Sequence, residues 1–212
     1  MSMNNLTKVS IPTGAAGILT ATAGAAESKA VDELIAGVRD ASDKVRTEAW
    51  LGAGKAGAPA VKPLAGVMTD SDPEVARAAA RALWQLARHA GRPGAGKEKQ
   101  AVEKELIGLL GDKVPISVRR EVLWMLSEIG GRNSVKPVAG LLKNDELRED
   151  ACMALERIPA KAAVAALQAS FEAAPEDFKP NIAQSLRKRG QEVAGYPCQK
   201  LVPRKQTDLK AL

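Results

Sequence analysis

Apolar residues recur along this chain with the period of a helix, and the recurrence itself repeats. Val45, Val75, Val118, Leu147 and Phe178 are spaced 30, 43, 29 and 31 residues apart. Four residues after each come Ala49, Ala79, Val122, Ala151 and Ile182; eight after come Ala53, Leu83, Leu126, Leu155 and Leu186. Offsets of 0, 4 and 8 fall on one stripe of a helix. Upstream of each stripe lies a second apolar segment, beginning at Ala30, Ala60, Ala101, Ser134 and Ala163. Each unit therefore reads as a helix, a short turn and a second helix.

Local signals agree with that division. Ser71-Asp72-Pro73-Glu74 offers a capping side chain followed by a first-turn proline, and Asn144-Asp145-Glu146 puts acceptors and negative charge at an amino end. Gly54, Gly91, Gly130 with Gly131, and Gly190 stand where the second helices should stop, which predicts left-handed caps. A two-helix unit of this length cannot bury its apolar face alone, so the units must stack into a continuous core. The expected organisation is a leader at 1–28, one solenoid at 29–190 and a basic extended tail at 191–212. The solenoid's units fall at about 29–56, 57–91, 100–131, 132–158 and 159–190, with a basic loop at 92–99 between the second and third. Val193, Tyr196, Leu201 and Val202 are expected to lay the tail along the last helices.

The wording of the units, Asp-x-x-Val-Arg-x-x-x-Ala in the second helix (Asp43 to Ala53 and Asp72 to Leu83 being the best copies) and Ala-Val-x-Pro-Leu in the first, resembles the HEAT-repeat family, in particular its short bacterial phycobilisome-lyase-like members. The resemblance covers roughly residues 29–190. Ala76 departs from it where an Arg is expected. It implies an all-α, right-handed α-α superhelix of about five helical hairpins, armadillo-like in architecture. It also implies that Asp43, Arg46, Arg119 and Arg148 belong to a structural ladder between neighbouring units, since a buried charge needs a partner.

Composition narrows the function. The 212 residues include 38 alanines, the strongest helix former and a small core side chain, but only three Trp, two Phe and one Tyr. No apolar run is long enough to span a bilayer. The single histidine, His89, excludes a multi-histidine metal centre and leaves a nucleophilic triad without its base. Cys152 and Cys198 form no metal or redox spacing; Cys152 reads as a small buried hydrophobe within a helix. Gly91 to Lys97 fits the opening of a phosphate-binding loop, but Glu98 stands where a hydroxyl should hold magnesium and a helix precedes it where a strand is required. No enzyme activity, cofactor or metal is expected. In the leader, Ala21-Thr22-Ala23 imitates a secretory cleavage site, but Pro12, Gly14 and Gly17 interrupt its apolar stretch. That favours the cytoplasm, with export as the alternative.

The chain carries a net charge of +6, yet the repeats themselves are nearly neutral. The excess lies in residues 92–99, with three bases against one acid, and in residues 187–212, with seven against two. A body that binds a duplex should show a basic stripe along all its units. Here the basic residues concentrate on one helix: Arg77, Arg81, Trp84 and Arg88 share a face, with Arg120 and Trp124 at equivalent places in the third unit. In HEAT-type stacks the second helices line the concave wall. The expectation is thus a non-catalytic scaffold or adaptor binding a protein partner through Arg77, Arg81, Trp84, Arg88, Arg120 and Trp124. Glu149, Met153 and Glu156 at the same offsets in the fourth unit change the sign of the surface, which favours a protein over a uniform polyanion. Trp50 is expected in the core. The alternatives are a nucleic-acid-binding protein similar to HEAT-like DNA glycosylases, and a bilin-lyase-like chromophore-handling factor. Apolar terminal units would also permit pairing of two copies.

Overall fold

The computed structural model describes residues 15–197, with side chains from Ala26 onward. Among these residues the chain forms ten α-helices and no strand: α1 (Ala15–Val38), α2 (Asp43–Gly52), α3 (Val61–Val67), α4 (Pro73–Ala90), α5 (Gly96–Gly108), α6 (Ile116–Ile129), α7 (Arg132–Gly140), α8 (Arg148–Arg157), α9 (Lys161–Ala173) and α10 (Lys179–Lys188). Short 3-10 turns at Ala53–Ala56, Ala58–Ala60 and Leu141–Lys143 fill three connections. Successive helices pack as hairpins within each unit: α1 on α2 and α3 on α4 in the first, α7 on α8 and α9 on α10 in the second. Their contacts group into two compact units, Met1–Val118 and Arg119–Leu212, with the division inside α6.

Two boundaries differ from the sequence reading. α1 begins at Ala15, inside the segment read as a leader, because the alanines at 15, 16, 21, 23, 25 and 26 propagate a helix through Gly17 and Gly24. Residues 1–14 lie outside the described chain. The basic loop is also shorter than 92–99: α5 starts at Gly96, so Lys97 and Lys99 sit in its first turn.

Thirteen of the fifteen stripe positions are buried, and Leu83, Leu126 and Leu155 are fully excluded from solvent. The two exceptions, Val45 at 38% exposure and half-buried Ala49, both belong to α2. That helix buries none of its residues, although it packs on α1 and α4. Among the described residues no earlier hairpin covers its outer side. Within the second unit, α7 packs on α8 and α9, and α8 and α9 on α10.

The caps are mixed. Asp72 caps α4 as expected, its carboxylate accepting from the Glu74 amide at 2.8 Å with Pro73 in the first turn. Asn144 accepts from the amides of Glu146 and Leu147, at 3.0 and 3.1 Å, in the turn that leads into α8. Of the glycines expected in left-handed caps only Gly190 has one, with φ +76°; Gly91 is right-handed and Gly131 extended. Gly54 serves a different need. A Cβ there would stand 2.7 Å from the Cβ and Cγ of His89, so glycine lets the 53–56 turn close onto α4.

A polar ladder joins successive hairpins, and its rungs connect residues about one repeat apart. In the first unit Arg39 meets Asp70 at 3.0 Å. In the second, Arg120 meets Asp150 at 3.0 Å, Arg148 meets Asp177 at 2.9 Å, and Glu156 accepts from Ser185 and Lys188 at 2.8 and 2.9 Å. Of the residues the resemblance assigned to this ladder, Arg148 takes part and also lies 4.7 Å from the Phe178 ring. Arg119 is buried, at 4% exposure. Arg46 does not bridge units. It binds Asp43 and the carbonyls of Asp40 and Ala41, closing its own α1–α2 turn.

The last hairpin is closed by its tail. The Arg189 guanidinium donates to the carbonyls of Glu156, Ile158 and Ala160, at the end of α8 and in the turn that leads to α9. Tyr196 stacks edge-on against Phe171 at 5.3 Å and donates its hydroxyl to Glu176 at 2.8 Å, while Arg187 holds its carbonyl. The Lys179 ammonium, and after it the Tyr196 hydroxyl, hold the Glu176 carboxyl below the usual range. Leu201 and Val202, also expected on the last helices, lie outside the described residues.

Candidate functional site

The alternation of small apolar and long cationic residues in α4 fixes which side chains face outward. Ala78, Ala79, Ala82, Leu83, Leu86 and Ala87 turn into the core, leaving Arg77, Arg81 and Arg88 exposed and Trp84 half-buried at the boundary. α2 supplies one further side chain, Trp50. It is half-buried rather than in the core, because α2 has no buried face to receive it and α4 offers a cation instead. The Arg81 guanidinium lies over the Trp50 ring, 5.7 Å from its centroid. Arg88 lies over Trp84 at 4.8 Å.

Trp50, Arg81, Trp84, Gln85 and Arg88 together line a shallow groove of about 290 Å³. Arg77 is not part of its lining and pairs with Glu74 one turn earlier in α4. Stacking on an indole orients a guanidinium and restricts its rotamers, while its in-plane donors are the part that meets carboxylates. The groove therefore combines flat apolar faces with oriented cations.

Arg120 and Trp124 sit in the second unit and are held by one carboxylate. Asp150 accepts from Arg120 Nε at 3.0 Å and from Trp124 Nε1 at 2.9 Å, and Arg120 also reaches the Glu146 carbonyl at 2.8 Å. Trp124 keeps 42% of its surface exposed, so its ring face is presented while its N–H is engaged. Sequence reasoning missed both Trp50 as a groove residue and Asp150 as the clamp. The signal for Asp150 was its position, 30 residues after Arg120 and so one repeat on.

Glu149, Cys152, Met153 and Glu156 line a second groove, of about 280 Å³, between α8 and α10. Its acids are engaged, Glu149 by Asn181 and Glu156 by Ser185 and Lys188. Cys152 is buried, and burial pushes its thiol up to about 11, against a smaller opposing effect of its contact with Ser185. At neutral pH it is a thiol rather than a nucleophilic thiolate. Cys198 lies outside the described residues.

A further concavity, of about 520 Å³, lies among the 54–59 turn, His89, Arg92, Glu98 and Val102. It has no aromatic face, and its Arg92 and Glu98 are already joined by two hydrogen bonds of 2.7 and 2.8 Å. The Arg92 pairing holds the Glu98 carboxyl below its usual range. This ion pair closes the segment that imitates a phosphate-binding loop. Among the described residues no group of three His, Cys, Asp or Glu side chains could hold a metal ion, and no helix is long and apolar enough to cross a membrane.

Comparison with known proteins gives one assignment. A search of curated proteins returns no match. Among solved structures, the chain is similar to a computationally designed armadillo repeat protein for modular peptide recognition, at 20% identity and a TM-score of 0.43, covering 78% of this chain and 84% of that one. A second designed armadillo repeat protein matches over the same shares at 20% identity and a TM-score of 0.41. The family description for HEAT repeats matches residues 12–84 and 61–155, well over half of the sequence. With helices packed pairwise in sequence, a buried stripe at the repeat's offsets and that match, the chain belongs to the HEAT-repeat family.

Proposed function

We propose that this protein is a non-catalytic interaction scaffold that holds an acidic segment of a protein partner on the exposed face of α4. The observation that carries this reading is the pair of cation–aromatic stacks, Arg81 on Trp50 and Arg88 on Trp84, along one open groove. Arg77 adds positive charge one turn away. Arg120 and Trp124 belong to the second unit, where Asp150 already occupies their polar atoms and the Trp124 ring face is what they present. The second helices line the concave wall of HEAT stacks, and the proposal sets the partner there.

The near-neutral repeat body favours a peptide over a duplex, whose counterion-driven binding needs many phosphate contacts. The test pairs two measurements on Arg81→Glu with Trp84→Ala. Melting should stay within a few degrees of the parent, and binding of a labelled oligo-glutamate peptide should fall at least about tenfold, which is about 1.4 kcal/mol. A drop of tens of degrees would make these residues core and remove the site. Tight duplex binding with a steep salt dependence would replace the reading with nucleic-acid recognition.

A further inference from the structure

A small cleft of about 190 Å³ lies between the 141–143 turn, the end of α9 and α10. Leu142 and Ile182, both buried, line it together with Ala173, Ala174 and Pro175, and Lys143 and Ser170 supply its polar atoms. Its size suits one aliphatic side chain and falls short of the roughly 300 Å³ at which small-molecule sites begin. The tail is anchored beside it. The Tyr196 ring packs on Phe171 at 5.3 Å and its hydroxyl binds Glu176 at 2.8 Å; these two residues directly neighbour Ser170 and Pro175 in the chain. At the end of α9, Ala174 follows Phe171 by about 5 Å along the axis and about 60° around it. The described residues end at Pro197, and the next aliphatic side chains in the sequence are Leu201 and Val202. The five residues from Tyr196 to Leu201 span up to about 17 Å, which brings Leu201 within reach of the cleft.

We infer that this cleft is the seat of the chain's own tail: Leu201 fills it, and residues 198–205 form a strap across the last hairpin. The tether favours this occupant over a free partner. A segment a few residues from an anchored ring has an effective concentration in the millimolar range, so one aliphatic contact suffices to hold it. Val202 precedes Pro203, which favours extended backbone there, and in an extended segment neighbouring side chains point to opposite sides. Leu201, the longer of the pair, turns in and Val202 turns out. Charge agrees. Residues 171–178 carry Glu172, Glu176 and Asp177 and no base; Lys179 and Arg148 pair with Glu176 and Asp177, and exposed Glu172 stands next to Ala173. Leu201 is flanked by Lys200, Arg204 and Lys205, which suit that edge. The bases of the tail then lie against its own hairpin instead of facing a polyanion. This inference is independent of the reading of the α4 face.

The test is limited trypsin digestion of the full chain under native conditions, with cutting of the Lys205–Gln206 bond followed by mass spectrometry. Cleavage of a docked segment follows the population of its released form. Leu201→Ser, which leaves that bond untouched, should be cut at least about tenfold faster than the parent, and Val202→Ser at the parent's rate. Ala174→Leu, which fills the cleft from within, should match Leu201→Ser; if it fails to fold, the two tail variants still decide. Equal rates in the parent and Leu201→Ser would overturn the inference. Equal acceleration by Leu201→Ser and Val202→Ser would also overturn it, since the cleft would then not be what selects Leu201. Protection that disappears on dilution would mean that the tail sits on a second copy, and the strap would fall.

Discussion

Cys152 shows how burial decides chemistry for a single side chain. Its thiol sits against Ser185, with Glu149 and Glu156 nearby, and is displaced upward from 9.0 to about 11. The folded chain therefore keeps a proton that the unfolded chain releases first. Stability linked to this group is complete below about pH 9 and is lost as the pH rises through about 11. A chain carrying Cys152 should lose stability relative to Cys152→Ala over that window, measured by urea unfolding in a Cys198→Ser background. In the same background a thiol reagent at pH 8 should react only after denaturation; prompt reaction of the folded chain would contradict the burial. Cys152 was legible as a buried hydrophobe from its place between Ala151 and Ala154. Trp50 was not, since its half-burial follows from α2, which among the described residues buries none of its side chains.

Between hairpins the polar rungs matter as much as the apolar spine. Asp150 is 15% exposed and binds a guanidinium and an indole from α6. Asp150→Ala should cost up to about 1 kcal/mol, since the Arg120 and Trp124 donors it releases are half exposed and can turn to water. The same substitution in a Trp124→Phe chain should cost less, and the difference in a double-mutant cycle measures the indole bond. Additive losses would mean that the bond contributes nothing. These rungs link residues 29 to 32 apart, which is why comparing positions within a helix could not reveal them. Comparing repeat against repeat would have. Helix positions were legible because the 0, 4, 8 stripe survives in every copy; the glycine caps were not, because a glycine after a helix can serve close approach, as Gly54 does against His89, instead of a left-handed turn.

For the whole molecule, the distribution of burial predicts where substitutions are felt. Leu83→Ala, Leu126→Ala and Leu155→Ala, each removing a fully enclosed side chain, should lower stability by about 2–5 kcal/mol in denaturant titrations. Leu51→Ala, at 54% exposure, should change it by less than about 0.5 kcal/mol. Comparable losses at Leu51 would mean that another surface covers α2 in solution. The ladder carries one more consequence. Because Arg148, Glu149 and Glu156 each reach a partner roughly one hairpin ahead, a one-residue insertion between Glu149 and Glu156 would turn the two ends of α8 about 100° against each other, and their rungs could not all form together. Adding or deleting an entire hairpin would preserve them all, so this scaffold can change length only in whole modules.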